Sequence, residues 1–228
     1  MALFLSISGF RGKLKMIVYL THPPLPPTLD GLDLPIDEGY VLSMAKTFPQ
    51  NVYSEEKLRE LIVYIADKSK DDPRCGAVKL NKLLYYADFT AYRLLGRSIT
   101  GAEYQHLQEG PAPRRGLPAQ ERLKRDGAIE KVYKPSAVGE PMHVIVPKRK
   151  PYPIFSKEEK ALINRIIKEF WNLTGSELSD ESHKEFGWRL TKLRETIHYR
   201  TAWLSRSPLT EEQIELGIKV AARHGLAG

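Results

Sequence analysis

Apolar residues recur at helical spacing through Leu58, Leu61, Ile62 and Ile65, behind the opening Ser54-Glu55-Glu56. Ser54 can cap such a helix, and two carboxylates in the first turn suit its dipole. Asp71-Asp72-Pro73 is the predicted end, because proline disfavours helical geometry in the residue before it. A longer helix is predicted over residues 78–95, with Gly96 as its terminator. Projected at about 100° per residue, it carries Leu80, Leu83, Leu84, Ala87, Ala91, Leu94 and Leu95 on one face. Val78, Tyr85, Phe89 and Tyr92 gather on the opposite face. A surface helix has one apolar stripe. Two stripes predict either a central helix packed on both sides or an aromatic stripe that meets a partner. The pattern assigns Phe89 to burial. Tyr92, close to Arg93 and Gly96, is expected to be partly exposed.

Beyond Gly96 the pattern weakens. Residues 99–108 have a faint extended character, and Glu109-Gly110-Pro111-Ala112-Pro113 reads as a sharp, stiff turn. A short basic helix is predicted over residues 117–126, with Pro118 tolerated in its first turn. Residues 129–134 and 142–147 predict two strands of a hairpin, with Pro135 to Pro141 supplying the turn. Ser156 with Glu159, and Thr174 with Glu177, form capping boxes that open two further helices. The first of these carries Leu162, Ile163, Ile166, Ile167 and Phe170 on one face. A helical stretch is expected over residues 189–204, and Thr210 with Gln213 suggests a last helix that Gly225 can stop. The fold class is therefore mainly α with a small β-hairpin (α+β), with a winged-helix-like centre inside a helical domain. The expected organisation is an extension over residues 1–50, the helical domain over 51–205, and a C-terminal helix over 206–228.

The extension changes this picture little. Pro23-Pro24-Leu25-Pro26-Pro27, then Gly31 and Pro35, favour a stiff extended linker. The apolar runs on either side of Arg11, Lys13 and Lys15 are too short to span a bilayer. They also lack the basic leader of a secretory signal. Translation can begin at Met1 or Met16 on this pattern. Across 228 residues the hydrophobic fraction is 42%, enough for a real core. Lys+Arg number 35 against 28 Asp+Glu, a net charge of +7, which suits acidic partners as well as a solvated basic surface. Cys75 is the sole cysteine, so no disulfide can close within the chain, as expected of a reducing cytoplasm.

Candidate chemistry is sparse. None of the six histidines lies three or four residues from another on a helix, the spacing a helical metal site uses. His183, near Glu185 and Trp188, is assigned a structural hydrogen bond, and Cys75 beside Arg74 a structural role. Carboxylate pairs such as Glu158-Glu159 occupy first turns of helices and serve the dipole. There is no nucleophile elbow, phosphate loop or dinucleotide fingerprint. The expectation is a protein without metal or cofactor, and not an enzyme.

One ordered series goes further. Lys79, Leu80, Lys82, Leu83, Leu84, Tyr85, Tyr86 and Ala87 are followed by Gly96 and then Gly110-Pro111. Leu123, Asp126-Gly127 and Ile129 come next, then Ser156 to Lys160, His183 with Trp188, and Ile197 with Tyr199. This series, over about residues 54–205, resembles the Panacea domain, the SocA-like antitoxin family of bacterial and phage toxin–antitoxin pairs. The resemblance implies an antitoxin that neutralises a cognate toxin by direct protein contact. The family pairs with many unrelated toxins, so the resemblance names no particular one. For partner binding the residues themselves offer Tyr85, Phe89 and Tyr92. They also offer Arg114 and Arg115, two cations behind a stiff turn that could grip carboxylates. An alternative is a winged-helix-like regulator of operator DNA, with Arg122, Lys124, Arg125, Lys148, Arg149 and Lys150 on phosphate. A phage-associated scaffold protein is the third class.

Overall fold

The computed structural model describes residues 2–8, 15–21, 51–136 and 139–204. The chain divides into two units, Pro49–Ala202 and a second made of Met1–Phe48 with Trp203–Gly228. In the second unit, β1 (Ala2–Ser8) and β2 (Lys15–Thr21) pair antiparallel, with Ala2 opposite Thr21. The two apolar runs of the extension thus become partners in one hairpin. The proline-rich stretch and the helix predicted over residues 206–228 lie outside the described residues.

In the larger unit, α1 (Glu55–Lys68) starts at Ser54, whose side chain accepts from the Lys57 backbone N–H at 3.1 Å. It stops at Ser69, before the proline, and beyond it Asp72 accepts from the Arg74 backbone and from Lys79. Leu58, Leu61, Ile62, Val63 and Ile65 are all buried, so α1 lies within the core. Helix α2 (Ala77–Leu95) is the central element and ends at Gly96, whose φ of 73° is left-handed. Both of its apolar stripes are covered through the middle of the helix, Leu80, Leu83, Leu84, Ala87 and Ala91 on one side and Tyr85, Phe89 and Tyr92 on the other, while Val78 at its start is exposed and Leu94 and Leu95 at its end are half-buried.

A three-stranded antiparallel sheet lies beside α2, its strands being Gly110–Pro113, Tyr104–Leu107 and Thr196–Ile197 in spatial order. Strand β3 is Tyr104–Leu107 and β4 is Gly110–Pro113, with Leu107 opposite Gly110. Most of the segment expected to be a sharp, stiff turn is therefore a buried strand, and the turn itself is Gln108-Glu109. Pro111 and Pro113 are tolerated because β4 is an edge, where a missing N–H breaks no second ladder. Beyond the sheet come α3 (Gly116–Arg125) and the hairpin of β5 (Ile129–Ser136) and β6 (Gly139–Pro147). This is the predicted helix-then-hairpin order. The strands run further than predicted, past Pro135, with an irregularity between Lys134 and Ser136.

Helices α4 (Lys157–Glu169) and α5 (Gly175–His183) each open on the complete capping box expected of them. The stretch predicted as one helix over residues 189–204 is instead three pieces. They are the end of α6 (Phe186–Arg189), strand β7 (Thr196–Ile197) and a 3-10 turn (Tyr199–Trp203). The break comes where Arg194 adopts a φ of 69° and its backbone N–H donates to the His106 carbonyl. Pairing with β3 outweighs continuation of the helix. The result is a mixed α+β, mainly helical fold with small antiparallel sheets.

Candidate functional site

Two lysines on α2 differ in how they are held. Lys79 Nζ donates to the Asp72 carboxylate at 2.7 Å, the Trp171 carbonyl at 2.9 Å and the Leu173 carbonyl at 2.6 Å. All three protons are used. Lys82 is 1% exposed, and among the described residues its ammonium has one acceptor, the Pro111 carbonyl at 3.3 Å. Burial pulls its pKa down to about 8, opposed by the nearby Glu109 carboxylate. Gly110 sits directly over it with a φ of 92°, and a Cβ there would meet Lys82 Cε at 2.8 Å and also strike Ser182 Oγ. Ser182 Oγ donates to the Ser179 carbonyl, and Ser179 Oγ to the Glu109 carbonyl at 2.6 Å. Residues spread along the family-like series therefore converge where α2, β4 and α5 meet. Their common product is a tightly filled corner.

The aromatic stripe runs beside Lys82, on the side of α2 opposite its aliphatic face. Tyr85 and Phe89 lie 4.2 Å apart between ring centroids, and Phe89 stacks on Tyr199 at 4.6 Å. Tyr104 contacts both rings, and its hydroxyl donates to Asp88 at 2.8 Å. Asp88 also accepts from the Thr100 backbone N–H at 2.7 Å. Burial raises the Asp88 pKa, while the bonds from Thr100 and Tyr104 oppose that rise. Tyr92 is 3% exposed and lies 5.4 Å from Tyr199, so the expected partial exposure of Tyr92 is corrected. Tyr85, Phe89 and Tyr92 are core residues. The reading that placed them in a partner's groove gives way to packing on both faces of α2.

Arg114 and Arg115 are exposed, as the sequence suggests, although neither projects freely. Arg114 Nε donates to Glu103 at 2.6 Å and Nη2 to the Arg194 carbonyl at 2.7 Å. A hydrogen bond from Thr196, and then the one from Arg114, hold the Glu103 carboxyl below its ordinary pKa. Arg115 lies 5.1 Å over the Tyr53 ring. Of the six residues offered for phosphate, four are paired with carboxylates. Arg122 meets Glu55, Lys148 meets Glu130, Arg149 meets Glu60 and Lys150 meets Asp67. Lys124 and Arg125, at the end of α3, form no ion pair among the described residues. The helix and hairpin are thus present, while most of the phosphate grip is already engaged within the fold.

Sequence reading missed the surface built by α6 and the segment after it. Trp188 is sandwiched between His106 at 4.2 Å and His183 at 4.1 Å, and its Nε1 donates to the Leu107 carbonyl. His183 therefore does stacking work beside its long contact to Ser179 Oγ at 3.5 Å. Next to this stack, Leu190 and Leu193 are 67% and 60% exposed. The only signal for them in sequence was a pair of leucines three apart between cations, which a helical assignment absorbed. Among the described residues, no group of three His, Cys, Asp or Glu is placed to hold a metal ion. Among the same residues, no helix is long and apolar enough to cross a membrane.

The class is thus a mainly helical α+β domain with small antiparallel sheets, whose central helix is packed on two faces. Residues 80–189 match the model of the family described as Antitoxin SocA-like, Panacea domain. The match begins inside α2 and ends with α6. Comparison with curated proteins and with solved structures gives no significant match.

Proposed function

We propose that this chain is the antitoxin of a toxin–antitoxin pair and neutralises its toxin by direct protein contact in the cytoplasm. The observation that carries the reading is the Panacea-domain match over residues 80–189. The state of the buried groups supports a binding protein over an enzyme. Lys79, Asp88 and Tyr104 each spend their hydrogen bonds on the fold, and Lys82 is enclosed under Gly110. The winged-helix-like reading as a DNA regulator is weaker, since four of its six phosphate-binding candidates already hold carboxylates.

The test is co-expression of this chain with the product of an adjacent small open reading frame that arrests growth. Growth should return with this chain and fail without it, and the two proteins should purify together. Arrest that persists when both accumulate in soluble form would defeat the proposal.

A further inference from the structure

The segment Arg189-Leu190-Thr191-Lys192-Leu193-Arg194 has an unusual combination of properties. Its two leucines are among the most exposed large apolar residues described, and they follow the partly buried Phe186 and Trp188. Arg189, Lys192 and Arg194 are exposed, and none forms an ion pair among the described residues. The carboxylates close by each have a partner other than these three side-chain cations. Glu195 accepts from the Lys192 backbone N–H at 2.8 Å, Glu103 is held by Arg114, and Glu181 by Lys184. Glu185 is close enough to the half-buried Arg93 to act on its charge. The segment therefore presents two exposed leucines among three cations, with Glu195 the one carboxylate bonded to it, a net positive apolar surface.

It is also fixed in place. The Arg194 N–H donates to the His106 carbonyl at 2.7 Å, and the His106 N–H donates to the Glu195 carbonyl at 2.9 Å. Thr191 Oγ1 donates to the Gly187 carbonyl at 2.8 Å, and Arg114 holds the Arg194 carbonyl. Arg194 is the one non-glycine residue with positive φ among those described. Side chains rarely adopt that conformation unless the surroundings impose it. A preformed loop loses little entropy on binding.

We propose that residues 186–194 form a preformed docking surface for an acidic, amphipathic segment of a protein partner. Its leucines would pack on the apolar side of that segment, and Arg189, Lys192 and Arg194 would meet its carboxylates. The sign of the charge selects an acidic partner, and two exposed leucines select protein over nucleic acid, whose phosphates give leucine nothing to bury against. Naming the toxin as the natural occupant rests on the antitoxin reading; the surface itself does not.

Two arms separate these claims. In the first, amide NMR follows the isotopically labelled full chain through titration with two synthetic helical peptides of identical leucine pattern. One carries Glu and the other Lys on the polar face, and a short DNA duplex is the third probe. The Glu peptide should shift amides of residues 186–196, and Leu190→Ser with Leu193→Ser should weaken it roughly tenfold or more, as loss of interface anchors does. The Lys peptide should leave those amides unmoved. No shift there with the Glu peptide, or a tighter effect from DNA, would overturn the proposal. In the second arm, the same double variant, and Arg189→Glu with Lys192→Glu, replace the wild type in the growth assay. Full protection by variants with an unchanged melting midpoint would remove this surface from toxin binding. Failure of the wild type to protect would instead sink the antitoxin reading and leave the peptide result standing.

Discussion

Lys82→Met should make this protein more stable at neutral pH. The ammonium is enclosed, its one acceptor is 3.3 Å away, and its pKa is lowered from 10.5 to about 8. Each pKa unit corresponds to about 1.4 kcal/mol, so keeping the buried charge costs on the order of 3 kcal/mol. Methionine retains most of the volume and carries no charge. Its own loss is the long bond to the Pro111 carbonyl, about 1 kcal/mol. The net expectation is a gain of about 2 kcal/mol near pH 7. The pH dependence has a definite sign. Between the folded value near 8 and the unfolded value of 10.5, the unfolded chain binds more protons at this site, so the wild type gains stability as pH rises. Below pH 8 the penalty is fully present; above 10.5 it is gone. Urea unfolding of both proteins across this range, followed by circular dichroism, measures the difference. Cys75, whose thiol is pushed up to about 11 by burial, titrates in both proteins and cancels. The gap should close as pH approaches 10. A methionine variant that is less stable, or a gap that ignores pH, would mean that Lys82 is satisfied as a charge and would refute the reasoning.

Other perturbations test the rest of the fold. Phe89→Ala should cost about 3–5 kcal/mol in chemical denaturation, as truncation of large buried rings does, and Tyr92→Ala should also destabilise. Gly110→Ala forces an L side chain into positive φ and against Lys82 and Ser182; a drop in melting midpoint matching about 1–3 kcal/mol or more is expected. A chain limited to residues 49–202 should unfold cooperatively with much the same midpoint as the full chain, by calorimetry.

Local signals were legible because they depend on few neighbours. Ser54, Ser156 and Thr174 cap the helices their spacing implied, and Gly96 stops α2 as a left-handed residue. The two stripes of α2 allowed a central helix or a partner-facing aromatic stripe, and the sequence could not say that Tyr199, over a hundred residues on, would cover Phe89 and Tyr92. Long-range pairing hid the rest. Gly110–Pro113 reads as a turn because two prolines discourage a strand, and only its edge position beside β3 makes it one. Residues 189–204 lost their helix to β7 for the same kind of reason. Arg114 looked like a free cation, since Glu103 and the Arg194 carbonyl reach it only through that sheet.

The late strand β7 bears on how this domain can be moved between proteins. Ile197 pairs with Tyr104, and both are buried. The matched segment stops at residue 189 and starts at 80, after α1 has already contributed Leu58, Leu61 and Ile62 to the core. A chimera cut at those borders would inherit the family's signature with an open sheet edge and an uncovered core. Exchange that preserves a folded module has to carry α1 at one end and β7 at the other. For this protein the unit of inheritance by recombination is therefore larger than the unit of sequence similarity.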